Sequence, residues 1–94
     1  MTFQATAYCH GVLTAAGTRV RAGVVAADPS MLPLGTRIRL TRSGGYDGTY
    51  TVLDTGSQVR GRRLDLFIPN CNDARAFGRR TVVVSVIGSI TATR

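Results

Sequence analysis

Glutamate, lysine and tryptophan are absent from this chain of 94 residues, and histidine occurs once. Without glutamate, five aspartates (Asp28, Asp47, Asp54, Asp65 and Asp73) supply all the negative charge of the side chains. Without lysine, with a lone imidazole and with no run of metal-ligand spacing, amine, histidine-pair and metal chemistry have little to work with. The aspartates are the best chemical equipment present. No apolar run approaches the length of a membrane span, and the amino terminus lacks the charged-then-apolar layout of a signal peptide. Any export signal is therefore expected to have been removed ahead of Met1.

What is present describes one small folded domain, 1–94. An apolar fraction of 44% with 18% charged residues belongs to a compact chain rather than a disordered one, and the length suits a single modest core. The net charge of +7 comes from arginine alone. Guanidinium forks match carboxylates and phosphates, so this charge fits an anionic partner or simply a solubilising surface. Nucleic acid is not expected: the arginines are scattered, and the few aromatics do not alternate with them as a stacking platform requires. Two cysteines, Cys9 and Cys71, lie far apart and match no metal spacing. Paired, they close a long loop worth roughly 4 kcal/mol and point to an oxidising, extracytoplasmic setting; unpaired, they are two buried thiols in a cytosolic protein.

Short β-branched runs punctuated by glycine and proline fill the chain. Strands are expected at 2–8, 22–27, 36–40, 48–53, 64–68 and 81–87, the last being the longest and the candidate central strand. Ser43-Gly44-Gly45 marks a turn. One helix is expected near 72–78, with Asn72 as N-cap candidate, Asp73 in the first turn and Gly78 as terminator. Six short strands with tight loops imply an all-β fold, a small barrel, because closure removes the edges such strands leave exposed.

Among the aspartates, Asp65 and Asp54 carry the chemical interest. On a strand, Leu64, Leu66 and Ile68 share one face while Asp65 and Phe67 share the other. A carboxyl beside a phenylalanine on a barrel wall is partly desolvated, which raises its pKa toward that of a general acid. An ion pair with Arg62 or Arg63 has the opposite effect, and taken alone Asp65 reads slightly better that way. Asp54 ends a strand and enters Thr55-Gly56, the ordinary setting of an Asx-type turn. Its functional role is as a charged neighbour that discourages ionisation of Asp65, or as an acceptor that orients substrate. Asp28 precedes a proline and reads as a turn starter, Asp47 as a turn residue, and His10 as a loop residue. Asp-Thr-Gly within Val52–Ser57, with Val86-Ile87-Gly88, also resembles the two elements of dimeric aspartic proteases. That motif lies past the midpoint of this chain, no glycine-rich flap follows it, and Asp65 is left without a role.

A wider resemblance accounts for more. Thr6-Ala7-Tyr8-Cys9, Thr14-Ala15-Ala16-Gly17, Gly23 to Pro29, and Leu32-Pro33-Leu34-Gly35-Thr36 follow in order. Asp54-Thr55-Gly56, Val59-Arg60-Gly61, Arg63-Leu64-Asp65-Leu66-Phe67 and Ala74 to Gly78 continue the series. This succession resembles the three-aspartate (3D) domain family and is similar to the catalytic core of MltA-type and stationary-phase-secreted lytic transglycosylases. The resemblance implies a six-stranded double-psi β-barrel at the bacterial cell envelope. It implies cleavage of the MurNAc-GlcNAc β-1,4 bond of peptidoglycan with formation of 1,6-anhydro-MurNAc. Asp65 is then the catalytic acid and base, Asp54 assists it, and Asp28 supports; Thr36, Arg60, Gly61 and Arg63 are the expected substrate-binding positions. No cofactor or metal is expected, and the chain is expected to act as a monomer on glycan strands. A barrel that binds cell-wall glycan without cutting it is the alternative. Arg60 stands where the family often has lysine, and paired cysteines are not a general family feature.

Overall fold

The computed structural model describes residues 1–90. Six strands run in the order β1 (Thr2–Tyr8), β2 (Val24–Ala27), β3 (Thr36–Thr41), β4 (Gly48–Asp54), β5 (Arg63–Phe67) and β6 (Arg80–Ser89), with helix α1 (Cys71–Phe77) before the last. They close into a barrel with neighbours β1-β5-β2-β4-β3-β6. Two pairs, β1/β5 and β2/β4, are parallel and the remainder antiparallel. This is the small double-psi barrel that the six short strands and the family resemblance implied. The expected central position of the last strand is replaced by closure. Every strand has two neighbours, and β6 spans the seam by pairing its first half with β1 and its second with β3.

Alternation explains the core. In β3, Ile38 and Leu40 point inward and are fully buried while Arg37 and Arg39 face water. Phe3, Ala5, Val25, Ala27, Val52, Leu64, Leu66, Val82 and Val84 fill the same interior. Strand β2 is buried on both faces: Val25 and Ala27 enter the core, whereas Val24 and Ala26 face outward and are still covered. The ladder between β2 and β4 shifts by one residue between Val25 and Ala26. Such a bulge re-aims the side chains next to it.

Helix α1 caps one side of the barrel with Ala74 and Phe77 buried. Its N-cap is Asn70, whose side chain accepts the Asp73 N–H, and not Asn72 as the sequence suggested; the helix therefore starts early enough to include Cys71. Gly78 ends it with φ of 63°, a left-handed conformation that glycine adopts at little cost. The Arg80 guanidinium lies 4.3 Å from the Phe77 ring centroid and donates to the carbonyls of Phe77, Ser43 and Gly44. Cys9 and Cys71 form a disulfide that ties the end of β1 to the first turn of α1. No helix among the described residues is long and apolar enough to cross a membrane.

Candidate active site

Register places the two central aspartates on either side of one alanine. Ala26 of β2 pairs with Asp65 on β5 and with Asp54 at the end of β4. Adjacent strands lie about 4.8 Å apart, so the two aspartate backbones are roughly 10 Å apart with only a methyl group between them. Without the bulge at Val25/Ala26, Asp54 would not fall opposite Ala26. Both carboxyls and Ala26 line one cavity of about 250 Å³, together with Tyr8, His10, Thr55, Gly56 and Val59. A second cavity of about 300 Å³ meets it at Asp65 and Val59, and is otherwise lined by Gln4, Thr6, Gln58, Arg63, Leu64 and Arg79. The two form a furrow on the outer wall of the barrel, within the size range of small-ligand clefts.

Asp65 sits where the two cavities meet. Its β1 partner is Thr6, whose hydroxyl donates to Asp65 Oδ1 at 3.0 Å. Burial pushes the Asp65 carboxyl above the ordinary aspartate range, the nearby negative charge of Asp54 adds to the rise, and the Thr6 hydrogen bond opposes it. No arginine contributes to that balance, so the expected alternative of an ion pair with Arg62 or Arg63 is not the arrangement found.

Asp54 is held differently. Its Oδ1 accepts the N–H of Thr55 and the N–H of Ala15, each at 3.0 Å, and its Oδ2 accepts the Tyr8 hydroxyl at 3.2 Å. The expected Asx-type turn, which would use the N–H of Gly56 two residues on, is replaced by bonds to the next residue and to Ala15, and the carboxylate so held is the charged neighbour of Asp65. Burial raises the pKa of the Tyr8 phenol, as does the adjacent Asp54 charge, so Tyr8 remains a donor. The Tyr8 ring packs edge-on against Phe67 at 5.4 Å. Cys9 follows directly, so the disulfide anchors the segment that carries both Tyr8 and His10 into the furrow.

Asp28 stands apart. It accepts the N–H and hydroxyl of Ser30 at 2.9 and 2.8 Å and, across the fold, the N–H of Gly61 at 2.8 Å. The Gly61 bond is the largest of the influences that hold its carboxyl below the usual range, and the Arg60 charge adds to them. Gly61 presents that N–H from a left-handed backbone, φ 64°. The loop that contributes Gln58 and Val59 to the furrow is therefore fastened from behind by Asp28.

Of the expected substrate-binding positions, only Arg63 lines the furrow. Arg60 and Gly61 belong with Asp28, and Thr36 is buried at the head of β3 among residues that line neither cavity. Sequence reasoning assigned no role to Thr6, Tyr8 or Arg79 and left His10 in a loop without a partner. The alternation of β1 was the available signal, because Gln4, Thr6 and Tyr8 face outward together, but its parallel pairing with β5 was not readable. Cys9, His10 and Cys71 lie close enough to suggest metal ligands, yet the two sulfurs are bonded to each other and offer no thiolates. The likeness to dimeric aspartic proteases ends at the motif, since Asp54 shares its cavity with a second carboxyl from its own chain, two strands away on the wall of a closed barrel.

The family model described as the 3D domain matches residues 23–88. The chain is 39% identical over 66 residues, 70% of its length, to "Cell wall-binding protein YocH" of Bacillus subtilis, covering 22% of that protein. It is 34% identical over 93% of its length to "Putative cell wall shaping protein YabE" of the same organism, covering 23% of that one. The chain thus spans about a quarter of the length of these relatives. Escherichia coli MltA with bound chitohexaose shares its fold, with a TM-score of 0.69 at 18% identity over 85% of this chain and 28% of that one. Another MltA crystal structure gives a TM-score of 0.65 at 21% identity over 83% and 28%.

Proposed function

Since the chain belongs to the 3D-domain family, and its furrow carries one shielded carboxyl beside a second, we propose that it is a peptidoglycan lytic transglycosylase of the cell envelope. The observation that carries this reading is Asp65, half-buried, with its pKa raised by burial and by Asp54, at the junction of two open cavities. A carboxyl so placed keeps a proton available at higher pH than an ordinary aspartate, which is what a general acid near neutrality needs.

In the reaction, protonated Asp65 gives its proton to the oxygen joining MurNAc C1 to GlcNAc. The C1–O bond breaks as oxocarbenium character develops at C1. The Asp65 carboxylate then takes the proton from the muramic C6 hydroxyl, whose oxygen bonds to C1 and closes the 1,6-anhydro ring. Asp65 ends as it began and no water is consumed. The carboxylate that ordinary glycosidases set on the opposite face is not required. Asp54 serves through its charge, Tyr8 by holding Asp54, and Asp28 by fixing the loop of Val59. Both carboxyls come from one chain, so a monomer suffices. The disulfide and the cell-wall names of the relatives support an extracytoplasmic location.

Incubation with purified sacculi tests this reading. The wild type is expected to release anhydro-muropeptides detectable by mass spectrometry, and Asp65→Asn to release none. The relative described as cell wall-binding favours a second reading, a barrel that grips glycan without cutting it. Pelleting of the wild type with sacculi but no anhydro product would establish that alternative.

A further inference from the structure

The furrow is electrically lopsided. At one end lie Asp54, Tyr8 and His10; at the other, Arg63 and Arg79 flank a cavity whose remaining polar wall is Gln4, Thr6, Gln58 and, at the junction, Asp65. Three adjacent strands build the cationic end: Gln4 of β1 pairs with Arg63 of β5 on one side and with Thr81 of β6 on the other, and Arg79 immediately precedes β6. Gln4 Nε2 donates to Thr81 Oγ1 at 2.8 Å, which steadies the amide between the two arginines. Among the other arginines, Arg80 is packed on Phe77 and bonded to three carbonyls, Arg75 is bonded to Asn72, and Arg60 lends its charge to Asp28, while Arg37 and Arg39 face water and line neither cavity. Arg63 and Arg79 make no hydrogen bond or ion pair with their side chains among the described residues. Two arginines with no partner among the described residues thus line one cavity that includes Asp65, and a planar guanidinium fork is matched by a carboxylate.

We propose that Arg63 and Arg79 form a carboxylate-binding subsite that seats the acidic arm of the muramic acid residue and thereby orients the glycan strand across Asp65. This rests on the transglycosylase reading for the position of the scissile bond. The muramic residue occupies the Arg63/Arg79 cavity with C1 toward Asp65, and the departing GlcNAc lies toward Asp54 and Tyr8. A strand laid the other way would bring the acidic arm toward the Asp54 carboxylate and leave both arginines empty. Only muramic acid, and not N-acetylglucosamine, carries such an arm, so the pair separates peptidoglycan from neutral chitin-type glycans. Two sources present the same group: the lactyl carboxylate of a strand stripped of peptide, and the carboxylates of an intact stem.

The subsite is tested by binding in the Asp65→Asn background, where no turnover intervenes. Soluble muramic tetrasaccharides with stems, the same glycans after amidase removal of the stems, and chitohexaose are titrated by calorimetry. Adding Arg63→Gln or Arg79→Gln is expected to weaken binding of a carboxylate-bearing glycan by roughly threefold to tenfold each, the range for exposed charge-assisted contacts. Salt is expected to mimic that loss, while chitohexaose affinity stays within twofold. Arg39→Gln, on the opposite flank at β3, removes the same net charge and is the control for long-range attraction. Binding that survives stem removal assigns the lactyl carboxylate; binding lost with the stems assigns theirs. Losses no larger than those of Arg39→Gln, equal losses for chitohexaose, or no binding of any glycan would overturn the subsite. Anhydro-product release by the wild type with arginine-independent binding refutes the subsite and leaves the enzyme reading standing. Arginine-dependent binding without product does the reverse.

Discussion

Breaking the Cys9–Cys71 bond is the sharpest test of how the site is held. The bond joins residues 62 apart in sequence, so it closes a loop covering two thirds of the chain. On the chain-entropy model a loop of that length removes about 4 kcal/mol of freedom from the unfolded state. A domain of this size has a total stability of only about 5–15 kcal/mol, so the reduced protein sits close to its unfolding threshold. Expressed as a melting shift, the loss is roughly 15–30 °C, and in urea it moves the midpoint by about 2–4 M. Oxidised protein, reduced protein and the Cys9→Ser/Cys71→Ser variant are compared by circular dichroism through thermal and urea unfolding. Reduced wild type and the double variant are expected to coincide, far below the oxidised form. Because Tyr8 and His10 bracket Cys9, sacculus digestion is expected to fail before the barrel signal does. A stability difference below about 1 kcal/mol, or titratable thiols in the unreduced protein, refutes the reasoning.

Three further outcomes follow from the furrow. Asp65→Asn is expected to abolish anhydro-product release yet raise the melting temperature at pH 7 by a few degrees. The folded pKa of Asp65 is raised, so its contribution to stability is full below the unfolded pKa and lost as pH rises through the folded one; a neutral amide escapes that loss, and the gain disappears below pH 4. Asp54→Asn removes a charge that helps keep Asp65 protonated, so the alkaline limb of the pH–activity profile moves to lower pH, and a limb that does not move denies Asp54 that role. Ala26→Leu leaves both carboxyls in place but fills the space between them, and release is expected to fall at least about tenfold with the fold retained by circular dichroism.

Much of the barrel is legible in local patterns, because Ile38, Leu40, Leu64 and Leu66 alternate with polar neighbours at the strand period. Gly78 announces the end of its helix for an equally local reason. Asn70 and Asn72 are both acceptable caps by composition, and the structure uses Asn70, which brings Cys71, the partner of Cys9, into the first turn. The site is less legible, since it is made by pairings between distant strands. Asp54 and Asp65 stood out as carboxyls in apolar surroundings, but their meeting across Ala26 depends on a parallel ladder and a bulge that leave no mark in composition. Thr36 and Arg60 belong to family motifs, and the structure places neither among the residues lining the two cavities. Arg79 had no motif at all; it reaches the furrow because β6 closes the barrel beside β1.

Burial of Asp65 also bears on the choice between cutting and gripping. A half-buried carboxyl carries a desolvation cost that an amide of the same shape would not incur, and a surface that only binds sugar hydroxyls recovers part of it through charge-assisted hydrogen bonds. Placing a second carboxylate two strands away raises that cost further, and the three hydrogen bonds on Asp54 fix the arrangement in place. Asparagine at position 65 would leave the barrel more stable at neutral pH while giving up the titratable proton. A carboxyl pushed upward by burial beside a second carboxylate is suited to protonating a bond as it breaks, and it lies at the junction of the two cavities, which is why release of anhydro product by Asp65→Asn decides between cutting and gripping.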